Sequence, residues 1–358
     1  MLLPVWRAEF GLDYAALGLL RAVFTGTMAA LQIPSGRLAE RLGSLRGVLA
    51  AGTAVSALGY ALAGLSGGLT GLVAALVVAG AGASTQHPVA SAAVAGAYGA
   101  GARGPLGTYN FAGDVGKATI PALAALLLGV LPWRPVAWLL AALGVLAALG
   151  IAWFMPGARP VHATKGERAG GGRGGFPLLL AIGVLDSATR MGLLLFLPFL
   201  LQAKGAGLPL VGAGLALVFV GGAAGKFACG WLAGRIGVLR TVMLTETGTA
   251  LAILALLWLG LWPALALLPV LGVVLNGTSS ALYGTVPELA PPGGVARAFA
   301  LFYTGTIGSG AVAPVLYGAL GDRVGMGWAL AAAAGTALAT VPLAVLLAPR
   351  LPSGAVAA

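Results

Sequence analysis

Charge is what this 358-residue chain has least of: Asp, Glu, Lys and Arg make up 8% of it, with nine acids against 20 Lys and Arg. An ordinary soluble domain is about a quarter charged, so this chain does not belong to that class. Cysteine is almost absent. The single Cys229 excludes a disulfide framework and a cysteine-rich metal site. Histidine is limited to His87 and His162, and there is no His-Glu-x-x-His pair, nucleotide-binding loop or Cys–His arrangement. No enzyme, bound metal or cofactor is therefore expected. No basic leader precedes the first apolar stretch, so no cleavable signal peptide is expected either.

What the chain does have is apolar surface. Hydrophobic residues fill 59% of it, and the glycines suit helices that approach one another backbone to backbone. The net charge of +11 is strung between apolar runs rather than gathered on one face, which reads as a topology signal and argues against nucleic acid as a partner. Runs long enough to cross hydrocarbon, about 20 residues each, fall at 14–36, 46–66, 70–92, 105–131 and 135–155. Six more fall at 176–202, 209–229, 238–260, 262–285, 297–320 and 327–349. The fold class is an all-α membrane protein with eleven visible spans.

The chain also repeats itself. Gly36-Arg37-Leu38-Ala39-Glu40-Arg41-Leu42-Gly43-Ser44-Leu45-Arg46 returns as Gly230-Trp231-Leu232-Ala233-Gly234-Arg235-Ile236-Gly237-Val238-Leu239-Arg240, with seven identities in eleven positions at an offset of 194. The same offset carries Leu3-Pro4 onto Leu197-Pro198, Arg103 onto Arg297, Tyr109 onto Tyr303 and Gly116 onto Gly310. Duplicated halves of apolar spans are the build of a secondary transporter. The expected organisation is an N-terminal half over 1–155, a Gly- and Arg-rich cytoplasmic linker over 156–175, a six-helix half over 176–350 and a cytoplasmic tail over 351–358. On this alignment Met1–Pro4 is the tail of a first helix whose body is missing, through a late assigned start or a real loss.

Placing the 36–46 segment in the cytoplasm and alternating from there puts twelve Lys and Arg inside and four outside: Arg7, Arg134, Lys204 and Arg323. That bias obeys the positive-inside rule and puts the C-terminus in the cytoplasm. Arg21, Lys117, Arg190 and Lys226 lie within spans, and Lys226 is expected to snorkel to the cytoplasmic face.

Gly36-x-Leu38-Ala39-Glu40-Arg41-x-Gly43 resembles the signature between the second and third helices of the major facilitator superfamily, with Glu40 where that family has Asp. The second copy has Gly234 there, so an acidic gating role passes to Glu40 alone. A third echo, Gly318-Ala319-Leu320-Gly321-Asp322-Arg323-Val324-Gly325, lies at the outer end of the eleventh helix. His87-Pro88 after Gly80-Ala81-Gly82-Ala83-Ser84, together with Leu3-Pro4 and Glu9-Phe10-Gly11-Leu12, is similar to the fosmidomycin-resistance-protein group. Gly107, Gly116 and Ile120-Pro121 resemble a degraded antiporter signature. The resemblance covers the whole chain and implies two halves rocking around a central site, proton-driven export and a monomer in the inner membrane.

The residues of the motif read physically. Gly36, Gly43, Gly230 and Gly237 permit close helix ends and sharp turns, while Arg41, Arg46 and Arg235 anchor them and can pair with Glu40 or with helix-terminal carbonyls. Fixing topology alone is the other reading. Ionisable groups inside spans are costly, about 3 kcal/mol or more at the bilayer centre. Asp186 and Arg190 stand four apart on one helix face near mid-membrane, as a proton- or substrate-linked carboxylate or as a structural ion pair. Asp114 and Lys117 are three apart in the span at 105–131, with the same two readings. Arg21 has no acid on its own helix, leaving an anionic substrate or Asp114 as its partner. Glu246 is expected to bond Thr245, Thr247 or Lys226, with proton relay as the alternative. His87 can titrate and couple protons, and Pro88 makes its helix pliable. Tyr109, Asn110, Tyr283 and Tyr303 can contact substrate, whereas Trp6, Trp133, Trp138, Trp153, Trp262 and Trp328 read as interfacial anchors. The expected activity is proton-coupled efflux of a small amphiphilic or anionic compound. Uptake of a small anionic nutrient, or a non-transporting remnant if the first helix is absent, are the alternatives.

Overall fold

The computed structural model describes residues 1–98, 103–157, 174–289 and 295–351. The expected linker therefore falls mostly, and the tail almost wholly, outside the described residues. The described residues form α1 (Leu2–Phe10), α2 (Tyr14–Leu42), α3 (Leu45–Leu65), α4 (Leu69–Ala83), α5 (Gln86–Tyr98), α6 (Arg103–Leu128) and α7 (Trp133–Phe154). The second half supplies α8 (Phe176–Ala203), α9 (Leu208–Ile236), α10 (Val238–Trp258), α11 (Leu261–Leu289), α12 (Val295–Val324) and α13 (Met326–Leu347). Ten candidate spans are long and apolar enough to cross a membrane, α4 and α5 together forming one of them. With α12, 30 residues long and packed against α2 and α8, they account for the eleven expected spans.

The repeat reaches into the helix ends. Adding 194 to Tyr14 and Leu42 gives Leu208 and Ile236, the two ends of α9. The same shift carries the ends of α7 to within a residue of those of α13. One departure is informative: the first half breaks between α4 and α5 at Ser84-Thr85, whereas the matching Thr278-Ser279 lies inside the continuous α11. Pro88 sits in the first turn of α5, where its missing N–H removes no ladder bond. The break therefore precedes it.

Two features of the motif differ from expectation. Gly36, Glu40 and Arg41 lie in the last turns of α2 and Gly230 and Arg235 in α9, not in loops, while Arg46 belongs to α3. Leu, Ala, Glu and Arg are good helix formers, so the helix continues until a residue must leave it. That residue is Gly43, left-handed at φ 62°, and in the second half Gly237 at φ 88°.

Glycines set the packing of the second half. A Cβ on Gly221 of α9 would lie 2.0 Å from the Pro269 carbonyl oxygen of α11, and one on Gly272 would lie 2.2 Å from that of Val218. These helices touch backbone to backbone. Gly221→Val should therefore cost at least about 3 kcal/mol through overpacking, read as a lower melting temperature in detergent. Gly230→Ala on the same helix, where a Cβ meets open space, should leave melting unchanged or slightly raised.

On the side assigned to the outside, the halves close on each other. Gly18 of α2 lies against Pro314 of α12, and Gly318 of α12 against Tyr14. The Asp322 carboxylate accepts hydrogen bonds from the backbone N–H groups of Tyr14 and Ala15, both at 2.8 Å. Nearby, α1 is clamped to α7: Trp6 and Phe10 meet Trp133 edge-on, and Glu9 pairs with Arg134 at 2.8 Å. Trp6 and Trp133 are thus buried rather than interfacial, because each is an aromatic partner of the other. Trp138, Trp153, Trp262 and Trp328 are exposed, as anchors should be.

Candidate functional site

The ionisable residues within the spans fall into three groups. The first lies inside the C-terminal half. Arg190 donates to Asp186 at 2.6 Å along one face of α8, and Asp186 is 4% exposed. Across from it, Glu246 of α10 is 1% exposed. Its carboxyl faces that of Asp186 and the Thr278 hydroxyl of α11. Two carboxylates only accept and repel each other, so a hydrogen bond between them forms only when one carries a proton. Thr278 passes its own proton on to Thr245 at 2.7 Å, and one oxygen of Glu246 has no partner. Glu246 therefore faces Asp186 rather than Lys226: residues 60 positions apart are joined by the packing of α8 against α10.

The repeat shows that this device exists once. The position equivalent to Glu246 is Gly52, where a Cβ would collide with Thr85 Oγ1 at 2.1 Å. The N-terminal half has no room for a carboxylate there.

The second group bridges the halves. Asp114 of α6, 6% exposed, accepts from Lys117 at 3.1 Å and from Lys226 of α9 at 2.5 Å. Lys226 does not snorkel to the cytoplasm, because a buried carboxylate within reach satisfies its ammonium at lower cost. Two ammoniums share one carboxylate, leaving a surplus positive charge at this seam. At the pseudo-equivalent seam of α2 and α12 the matching residues are Gln32 and Gly308, so no ion pair can form there.

Third, Arg21 of α2 does not reach Asp114. Its guanidinium donates to the Met191 sulfur of α8 at 3.3 Å, and it lines a largely apolar cavity of about 400 Å³ with Trp6, Phe24, Tyr60 and Phe219. Among the described residues, Arg21 has no carboxylate within ion-pair distance.

Toward the side that the charge bias assigns to the cytoplasm a second cavity, of about 710 Å³, opens between α2, α5, α11 and α12. His87, Gln32, Arg37, Glu40, Tyr283 and Tyr303 line it, which puts His87 at the central cleft. Tyr283 stacks on Tyr303 at 5.0 Å and meets Phe302 edge-on. Tyr109 instead donates to the Gln86 backbone carbonyl at 3.1 Å, bracing the α4–α5 break. The Asn110 side chain lies outside the described residues. Glu40 and Arg41 are exposed at the cytoplasmic end of α2, and Arg46 reaches the Met155 carbonyl at 3.3 Å. Arg235 lies over the Trp231 ring at 4.2 Å. Among the described residues the halves are closed on the side that the charge bias assigns to the outside and open on the other, an inward-facing arrangement on that assignment.

Sequence reasoning paired Asp186 with Arg190 and Asp114 with Lys117, as the structure has them, but missed Lys226 as a partner of Asp114 and Asp186 as the neighbour of Glu246. One signal was available. Glu246 and Lys226 both break the repeat, standing where the first half has Gly52 and Gln32.

Comparisons with known proteins agree with this architecture. The family model of the Major Facilitator Superfamily matches residues 1–182 and again 179–357. A probable L-galactonate transporter of Escherichia coli (strain K12) is 29% identical over 150 residues, 42% of this chain. That alignment spans 32% of the relative's length. The crystal structure of a bacterial homolog to the human lysosomal transporter Spinster, inward-facing and occupied, is similar with a TM-score of 0.74. It is 19% identical, over 97% of this chain and 90% of that one. The likeness to the fosmidomycin-resistance group finds no counterpart among these matches. Two matched halves, multiple helices long and apolar enough to cross a membrane and a central cleft lead to one conclusion: the chain belongs to the Major Facilitator Superfamily and is a multi-pass membrane protein.

Proposed function

We propose that this protein is a proton-coupled exporter of a small organic anion, working by alternating access as a monomer in the cytoplasmic membrane. The observation that carries this reading is the charge balance inside the spans. Arg21, Lys117, Arg190 and Lys226 face only three acids, Asp114, Asp186 and Glu246. Asp186 and Glu246 face each other, and one proton held between them relieves their like-charge repulsion, which leaves the four cations matched by two negative charges. Uncompensated positive charge is costly in a bilayer, and an anionic substrate supplies the compensation. The shared proton at Asp186 and Glu246 supplies the coupling: its departure strengthens the hold of the pair on Arg190, and its arrival loosens it. Such a device biases which side the cleft faces. His87, at the cleft, is the second coupling candidate.

Export follows from the antiporter-like residues of α6. Import of a small anionic nutrient is the second reading, since Arg21, Lys117 and Arg190 within the spans could bind an anion on its way in as well as out. Both are tested in right-side-out vesicles bearing the full-length protein, with a labelled hexonate and a labelled aliphatic carboxylate. Under an inward proton gradient, expulsion supports export and accumulation supports import. If the gradient moves neither these nor any of a wider panel of organic anions, the anion reading fails.

A further inference from the structure

The outer contact between the halves is built around one residue. Tyr14, the first residue of α2, is held from three sides. Its backbone N–H and that of Ala15 donate to the two oxygens of Asp322 at the outer end of α12. Its ring lies edge-on to Phe196 at 5.1 Å and Phe199 at 5.3 Å, both on α8. Its hydroxyl accepts from Arg7 of α1, whose guanidinium also sits 4.2 Å from the ring centre. Two of the three holds cross between the halves.

The bond to Asp322 is chemically distinct from the apolar holds. The first N–H groups of a helix have no partner within it, and their end of the helix dipole attracts negative charge. Asp13, the residue preceding α2, satisfies the N–H of Ala16 at 2.7 Å. The two donors before it, on Tyr14 and Ala15, are left for a carboxylate from the other half, and Asp322 takes both. No side chain of the N-terminal half replaces it among the described residues. Asp322 stands in Gly321-Asp322-Arg323-x-Gly325, the outer echo of the Glu40-Arg41-x-Gly43 segment. The acid of that echo is thus engaged on the closed side, while Glu40 is exposed on the open side.

We propose that Asp322 is a positioning residue of the transport cycle: its carboxylate caps the N-terminus of α2 across the two halves and latches the outer gate shut in the inward-facing state. The halves cannot part on the outside without stripping two charge-assisted hydrogen bonds from one helix end. The latch sets how much of the population faces outward, without touching substrate.

The test needs no substrate. The lone Cys229 is replaced by Ala in the full-length chain. Spin labels are then attached at Gly67→Cys and Gly260→Cys, exposed outer positions of the two halves where a side chain meets open space. Distances are measured in lipid nanodiscs. Asp322→Ala should raise the ratio of long to short outer distances by roughly tenfold, the cost of losing hydrogen bonds to a charged acceptor. Asp322→Asn, which keeps one accepting oxygen, should give an intermediate ratio, and Arg323→Ala none of this change. An unchanged distribution in a folded Asp322→Ala protein overturns the proposal. So does a lowered melting temperature with no redistribution in either Asp322 variant, since that would make Asp322 a structural cap only.

Discussion

Asp186→Asn abolishes the dependence of transport on the proton gradient while leaving exchange of the anion across the membrane intact. In proteoliposomes with the membrane potential clamped at zero, one proton coupled per cycle sustains a concentration ratio of about ten across a one-unit pH gradient, since 1.4 kcal/mol is a factor of ten. The ratio in the variant falls to about one. The reason is donor chemistry. An asparagine amide donates permanently to Glu246, so the shared proton has no place between them. Arg190, Thr278 and Tyr283 are the other polar groups facing this pair, and none replaces a carboxyl. Glu246→Gln should behave in the same way. A ratio still near ten in Asp186→Asn removes the pair from coupling, and retained counterflow separates that result from a failure to fold.

Arg190→Met gives the largest expected loss of stability. It removes the cation from a cluster in which Asp186 is 4% and Glu246 1% exposed. Taking one partner from a buried pair costs about 3–5 kcal/mol, because a charge stays buried without compensation. Asp186→Asn in the same chain should recover most of that loss, since the remaining group is neutral. Thermal melting of the two singles and the double closes a mutant cycle. Additive effects would show that Asp186 and Arg190 do not interact in the folded protein, against the 2.6 Å contact.

Much of the fold could be read from the sequence, because apolar run length and a duplicated segment are local and periodic signals. The offset of 194 found in one motif reproduces both ends of α9 from those of α2. The site was only half legible. Asp186 and Arg190 share a helix face, so four-residue spacing was enough. Asp114 and Lys226 are 112 positions apart and meet only because α6 and α9 form the seam between the halves. Loop-like glycines misled as well: Gly36 and Gly230 sit in continuous helix, where neighbouring Leu, Ala and Arg outweigh them. Trp133 read as a lipid anchor because a sequence does not show that Trp6 and Phe10 fold back onto it.

The crossing of α2 and α12 has a mechanical consequence. These helices are 29 and 30 residues long, about 44 Å at 1.5 Å per residue, and they touch near their outer ends through Gly18, Pro314 and Gly318. The contact is a fulcrum placed close to one end of two long levers. A tilt of about 10° around it sweeps the far ends by about 7 Å on that geometry. Small angular adjustments at the outer water line are thereby geared up into a wide stroke at the cytoplasmic mouth.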